Sequence, residues 1–554
     1  MLKIVVLIVA TLFLGEVVSS KNSPNEVPRI KDKRPNILLI LADDLGYSDI
    51  GAFGGEIATP NLDSLAKNGV RMSNFYVAAT CSPTRSMLLS GVDHHLAGVG
   101  TMAGDQAPNQ LGKPGYEGYL NHDVVSIATL MRESGYHTYM AGKWHLGLTD
   151  KLSPKSRGFE KSFALLQGGG HHFDDTTMIQ KYDKAWYRED DKRVDLPDDF
   201  YSSEYYSTKM IEYMKTGEQD DQPFFAYLTY TAPHWPLQAP QEYMDKYKGK
   251  YNDGYTALKA NRSQAMHDLG LVNKNSKVHP TSEPDTADWD SLSPETKKIK
   301  SREMEIYAAM VDNMDYQIGR VLDYLESSGQ RDNTLIIFFS DNGPQSGSVG
   351  KISEFPQSWI DANFDNSYEN MGKKGSYIYY DTHWAEASVP QSRLFKAFAT
   401  EGGLNVPGII NFPGKLGELS GKISNQFMTV LDVAPTILEL AETSHPGSSY
   451  KGKTVVPPTG TSAVSFINGT SDTIHGEEYT MSWELFDRMA VRSGDWKLLK
   501  LPTPFGTGEW ELFDLAQDPG ETTDLRLQHP EQLSKMIKIW DEYVNKNNVV
   551  LPRW

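Results

Sequence analysis

The stretch NILLILADD, residues 36–44, decides the fold. Residues 36–41 are a short unbroken apolar run, the pattern of a strand buried on both faces in a parallel sheet. The run stops abruptly at Ala42-Asp43-Asp44. Three later stretches repeat the form. Residues 137–141 run into Gly142-Lys143-Trp144-His145, residues 223–230 into Thr231-Ala232-Pro233-His234, and residues 334–339 into Ser340-Asp341-Asn342-Gly343. Helical patterns lie between them. Residues 61–68 follow Thr59 as N-cap and Pro60 at the first position. Residues 82–89 close at Gly91, and 124–133 at Gly135. Over 302–325, Met304, Tyr307, Val311, Ile318 and Leu322 recur at helical spacing. This alternation predicts an α/β fold, a large mostly parallel sheet sandwiched by helices.

After one more amphipathic helix at 428–442, Pro- and Gly-rich sequence around 446–460 marks a change. Residues 479–483, 489–491, 496–501 and 510–514 read as short antiparallel strands, and 530–545 as a helix. They predict a smaller C-terminal α+β antiparallel-sheet domain. Residues 252–298 read as a polar, featureless surface insertion. The expected organisation is a signal peptide at 1–20, a loose arm at 21–34, a catalytic domain at 35–475 and a C-terminal subdomain at 476–554. The signal peptide rests on Lys3, an eleven-residue apolar run at 4–14 and the small residues Val18-Ser19-Ser20. That run is too short to span a bilayer, so a periplasmic or secreted protein without a membrane anchor is expected. The net charge of -18 excludes nucleic acid as a partner held through its phosphates.

In an open parallel sheet, ligands sit at the carboxyl ends of the strands. Four strand ends carry Asp43-Asp44, Lys143 with His145, His234, and Asp341-Asn342. Singly, each reads as a turn former, a helix cap or a solvated charge. Together, Asp43, Asp44, Asp341 and Asn342 form an oxygen donor set that suits calcium or magnesium. Arg85 and Lys143 suit an anion, and His145 and His234 suit proton transfer. Cys81 is the chain's single cysteine, so it has no disulfide partner within the chain. It lies in Thr80-Cys81-Ser82-Pro83-Thr84-Arg85, where turn and helix-start residues and a fixed cation argue against an ordinary packed thiol.

At these residues the chain resembles the formylglycine-dependent sulfatases of the alkaline-phosphatase superfamily, the bacterial periplasmic arylsulfatases above all. The stretches ILADDLG (40–46), CSPTRSMLLSG (81–91), DHHLAGVGTM (93–102), AGKWHLG (141–147), TAPHWPLQ (231–238), SDNG (340–343) and RLFKAFATEGG (393–403) carry the resemblance. It implies that an export-linked formylglycine-generating system oxidises Cys81 to an aldehyde. It also implies one calcium ion on Asp43, Asp44, Cys81, Asp341 and Asn342. Arg85, Lys143, His145, His234 and Lys396 would complete the catalytic set. The implied activity is hydrolysis of sulfate monoesters, from small-molecule or carbohydrate substrates. In the implied mechanism, one hydroxyl of the hydrated aldehyde, activated by the metal and Asp341, attacks sulfur while His234 with Lys396 serves the leaving group. Arg85 and Lys143 neutralise the sulfonate, and His145 then deprotonates the second hydroxyl to expel sulfate. The alternatives are a phosphoester or phosphonate monoester hydrolase of the same superfamily and a non-catalytic protein that binds sulfated ligands. The run Gly168-Gly169-Gly170-His171-His172 matches no motif position, and Tyr377, Tyr379, Tyr380 and Trp384 are candidates for the leaving-group side.

Overall fold

The structure is a computed structural model and describes residues 33–273, 275–280, 287–346 and 355–554. The expected signal peptide and nearly all of the expected arm lie outside the described residues. In chain order the main sheet contains β1 (Asn36–Ala42), β2 (Val70–Tyr76), β3 (His137–Lys143), β4 (Lys161–Leu165), β5 (Tyr187–Glu189), β6 (Lys192–Arg193), β7 (Phe224–Thr229), β8 (Thr334–Ser340), β9 (Asn405–Asn411), β10 (Ile423–Ser424) and β11 (Met428–Thr429). Across the sheet the order is β10-β2-β9-β8-β1-β7-β3-β4-β5-β6, with β11 on β2. The four apolar runs are therefore neighbours, β8-β1-β7-β3, all parallel. Leu41 is level with both Thr229 and Phe339, so the residues after each strand emerge at one edge of the sheet. Every residue of β1 and β8 is buried, as their unbroken apolar sequence requires. The sheet is parallel at its centre, but β9 runs antiparallel to both β2 and β8.

Two groups of helices flank the sheet. Pro60–Lys67 and Ser202–Thr216 pack on the long helix Pro294–Ser327, and Cys81–Ser90 and Ile127–Glu133 pack on Val430–Leu440. Thr59 stands at an N-cap position, but its hydroxyl accepts from the Gly51 amide instead.

The expected surface insertion is corrected by the structure. Gly254–Leu269 is a helix whose Arg262 is fully buried. Arg262 pairs with Asp49 and, through two nitrogens, with Glu56. Asp49 in turn accepts from Tyr307 Oη at 2.6 Å and from the Gly46 amide at 2.7 Å. This polar segment thus holds the loop that follows Asp43-Asp44. Its anchor is a paired charge, which interrupts the buried apolar face of Tyr255, Leu258 and Met266.

Beyond a small hairpin, β12 (Ser449–Tyr450) and β13 (Lys453–Thr454), a second sheet contains β14 (Thr480–Leu485), β15 (Arg488–Ser493), β16 (Trp496–Lys500) and β17 (Glu511–Asp514), antiparallel in sequence order. The helix Pro530–Lys546 covers one side through Met489, Val491, Leu498, Leu512, Met536 and Trp540. On the other side, Trp483 Nε1 donates to the Val77 carbonyl and the buried Lys497 pairs with Glu401 and Glu521. No helix among the described residues is long and apolar enough to cross a membrane.

Candidate active site

The strand ends meet where the parallel register puts them. Asp43 and Asp44 leave β1, Lys143 ends β3, and Asp341 and Asn342 leave β8. Cys81 opens the helix Cys81–Ser90, all of whose residues are buried. At 2% exposed, Cys81 is as buried as a core cysteine, and its neighbours distinguish it. Its Sγ lies 3.4 Å from Asp43 Oδ1. Donor atoms of Asp43, Asp44, Cys81 and His234 all fall within 4.8 Å of one another.

Three cations face the three carboxylates. Lys143 Nζ sits 2.6 Å from Asp43 Oδ2, and Lys396 Nζ 2.7 Å from Asp44 Oδ1. Arg85 sets Nε and Nη2 on Asp341 Oδ2 at 2.9 and 2.8 Å. Its Nη1 donates to the Lys143 carbonyl and to Thr229 Oγ1. That last contact needs β3 and β7 to approach closely. Gly142 permits it, with φ at +123° and no room for a Cβ, which would lie 1.7 Å from the Thr229 carbonyl oxygen.

Burial would raise the Asp43 and Asp44 carboxyls, but their cationic neighbours outweigh it. Lys143 with His234 holds Asp43 below the usual carboxylate range, and Lys396 with His234 does so for Asp44. Lys396 is buried, which alone would discharge it, but Asp44 raises its pKa well up. Burial, then Asp341, pushes the Cys81 thiol well up. Burial, then Lys143 and Arg85, pushes His145 well below the ordinary histidine value, so it is neutral. His234 is also lowered, by burial first.

Asp44, His145 and Ala397 adopt left-handed backbone conformations, with φ at 68°, 56° and 71°. Such strain in non-glycine residues gathers at functional sites. His234 stands between cis peptide bonds at Pro233 and Pro236. Its Nδ1 faces the Trp235 carbonyl, and its Nε2 lies 3.5 Å from Asp44 Oδ2.

All ten sequence-predicted residues are brought together, in two layers. Cys81, His145, His234 and Lys396 line an open cleft of about 710 Å³. Arg85 and Lys143 are fully buried behind it, their charges spent on Asp341 and Asp43 rather than turned to the cleft. The donor set also passes a test for a hard cation. Asp44 Oδ2 and Asn342 Oδ1 are buried oxygens without a hydrogen-bond partner, and every side chain of the set except Cys81 offers oxygen.

Two features escaped the sequence. A Cβ on Gly168 would lie 2.7 Å from His145 Cε1, and one on Gly169 3.6 Å from His234 Cε1 and 2.3 Å from Met178 Sδ. Gly168 therefore lets the chain close over His145, while Gly169 makes room for Met178. His172 Nε2 approaches the His234 carbonyl at 3.0 Å, and its Nδ1 the Ser202 hydroxyl at 2.7 Å. The aromatic candidates fare differently. Trp384 is buried among Tyr251, Tyr255 and Trp289, and Tyr377 packs on Phe364 and Trp235. Tyr379 and Tyr380 line a narrow crevice beside Asp44. None of the four lines the main cleft.

The chain matches the family model described as Sulfatase over residues 35–443. It also matches the model described as N-sulphoglucosamine sulphohydrolase, C-terminal, over residues 392–547. An uncharacterized sulfatase of Schizosaccharomyces pombe is 45% identical over 531 residues, 94% of this chain and 95% of that one. The arylsulfatase of Klebsiella aerogenes is 41% identical over 435 residues, 78% of this chain and 92% of its own. Among solved structures, Ps i-CgsB in complex with k-i-k-neocarrahexaose matches with a TM-score of 0.65 at 24% identity, over 94% of each chain. A protein solved with its substrate D-glucosamine-2-N,6-O-disulfate matches at 0.60 and 19% identity, over 93% of this chain and 98% of that one.

Proposed function

The chain belongs to the sulfatase family, and from that membership we propose that it works through formylglycine made from Cys81 beside a bound calcium ion. It is a sulfuric ester hydrolase. The observation that carries the proposal is the meeting of Asp43, Asp44, Asp341 and Asn342 beside Cys81, which itself lines the cleft. Asp43, Asp44, Asp341, Asn342 and residue 81 would hold the ion, which supplies positive charge for a sulfate oxygen. The aldehyde supplies, on hydration, two hydroxyls on one carbon, one for attack at sulfur and one for expelling sulfate.

The remaining work falls to the chain's own groups. Arg85 clamps Asp341 through two nitrogens and fixes the ends of β3 and β7. Lys143 holds Asp43. These two cations orient carboxylates and lend the floor positive charge from behind. His145 is neutral, and its buried Nδ1 has no hydrogen-bond partner, so a ring nitrogen is open to a proton, while burial, Lys143 and Arg85 keep its basicity low. His234 donates its Nδ1–H to the Trp235 carbonyl, which turns Nε2 to the leaving oxygen; Nε2 serves as the acid only when the ring also carries a proton there. Lys396 Nζ, on the cleft wall, adds positive charge beside that oxygen.

The signal-peptide reading of residues 1–20 puts the protein in the periplasm or outside the cell, with the aldehyde installed during export. The division of the chain near residue 475 belongs to the same proposal. Rates on matched sulfate and phosphate monoesters, before and after chelation, test it. Sulfate esters are expected to turn over faster and to lose turnover on chelation. A preference for phosphate, or indifference to chelation, contradicts the reading.

A further inference from the structure

The cleft above Cys81 has a composition of its own. Its walls are built largely of apolar side chains, among them Leu148, Leu152, Met178, Ile179, Trp235 and Phe486. Apart from the catalytic floor, its charged lining residues among the described residues are Asp105, Glu117 and Lys181. One lysine is thus set against two carboxylates. A polysulfated sugar needs additional cations along its length, and an apolar group needs none.

Phe486 is the most telling wall residue. With Asp487 it forms the two-residue turn between β14 and β15, Leu485 pairing with Arg488. Both turn residues are left-handed, with φ at 58° and 63°. Such turns favour asparagine and glycine, so a bulky aromatic is held there against its backbone preference, as at functional sites. The turn is also tied to the floor. Arg488 Nη1 donates to the Ala397 carbonyl at 2.6 Å, and its guanidinium lies 3.8 Å over the Phe398 ring. Ala397 follows Lys396. The second sheet therefore supplies a cleft wall fastened beside a site residue.

We infer that this cleft receives the alcohol part of the ester, and that this alcohol is a large apolar one, a long-chain or polycyclic hydrocarbon bearing a single sulfate. The inference rests on the sulfate-ester reading above. Each methylene that enters an apolar cleft strengthens binding about two- to fourfold, and the volume admits many.

The test is kcat/KM for butyl, hexyl, octyl and decyl sulfate, below micelle-forming concentrations, with glucose 6-sulfate as the polar comparator and 4-nitrophenyl sulfate as the reporter of activity. The expected result is a rise of about two- to fourfold per methylene along the series, with glucose 6-sulfate well below decyl sulfate. Phe486→Ala should lower the decyl value about tenfold and the butyl value by less, flattening the slope. Turnover of 4-nitrophenyl sulfate with a flat series, or with glucose 6-sulfate preferred, overturns this inference and leaves the sulfatase reading standing. Failure to turn over any sulfate ester overturns both.

Discussion

Asp44 holds Lys396 and Asn342 on one carboxylate oxygen and faces His234 with the other. Removing it strands a buried lysine and takes away an oxygen of the proposed metal site. Breaking a buried ion pair of this kind costs about 3–5 kcal/mol. Asp44→Ala is expected to abolish turnover and to melt lower than wild type. It should also lose the calcium-dependent rise in Tm, worth about 2.7 kcal/mol at a hundredfold excess over Kd. Thermal melts with and without calcium check this, and wild-type turnover in a folded variant would remove Asp44 from the site. Gly168 acts differently. Gly168→Ala would press a Cβ against the His145 ring, and a displacement of about 1 Å costs about a hundredfold in rate. The expected outcome is that loss in kcat with Tm little changed, read from steady-state kinetics and a melt. Asp43, Asp44, Lys143, His145, His234, Asp341 and Asn342 were legible in sequence because each follows a strand-like run, whereas Lys396 was legible only through the family resemblance. Gly168 was visible too, but glycine's part is to be absent beside a ring, and only the folded chain shows which ring. The layering of Arg85 and Lys143 behind the cleft was likewise a matter of side-chain direction that spacing does not encode.

At the scale of elements, the joint between the two sheets turns on Asp93-His94-His95. His95 Nδ1 contacts Asp93 at 3.0 Å and its Nε2 contacts Glu484 of β14 at 3.2 Å. Tyr543, from the helix Pro530–Lys546, donates to Asp93 and stacks edge-on to His95, as does Tyr116. Burial works against charge on His95, but the two carboxylates raise its pKa to about 9 from 6.5. Its contribution is full below pH 6.5 and is lost as pH rises through 9. His94 is lowered by burial to about 4. Kept neutral in the fold, it costs stability as pH falls from 6.5 toward 4. The contribution of this pair should therefore be greatest near pH 6.5 and fall on both sides, on the order of 3 kcal/mol on each limb. Calorimetric Tm against pH reads this, and His95→Gln should remove the alkaline limb alone. An unchanged alkaline limb in that variant would place the titration elsewhere. The same scale explains what the sequence concealed. β1, β7 and β8 are continuous or nearly continuous apolar runs, so they were readable, and β3 (HTYMAGK) was readable from its place directly after a helix closed by Gly135. β2 (VRMSNFY) mixes polar residues with apolar ones, and β9 (NVPGIIN) carries Pro407 and Gly408 inside the strand. Their strand character comes from pairing with each other, which no local pattern records. The helix Gly254–Leu269 was hidden for the related reason that a buried arginine anchors it.

For the whole molecule, two sheets make one site. The parallel sheet supplies the floor, the antiparallel sheet supplies the Phe486 wall, and the cleft lies between charges and hydrocarbon. Chelation should lower activity and Tm together, since an ion bound by the fold and not by the unfolded chain stabilises it. Recovery of both on adding calcium, followed by melt and assay on one sample, checks that the ion serves fold and chemistry at the same place. The central claim is the chemical identity of position 81. Cleavage after Arg71 and Arg85 releases residues 72–85 with that position inside, and mass spectrometry of this peptide, on samples of known specific activity, tests the claim most directly. The account predicts a peptide carrying an aldehyde in place of the thiol, reactive toward hydrazides, in a fraction that tracks specific activity from one preparation to the next. Full activity in a preparation whose peptide carries only unmodified cysteine would contradict it.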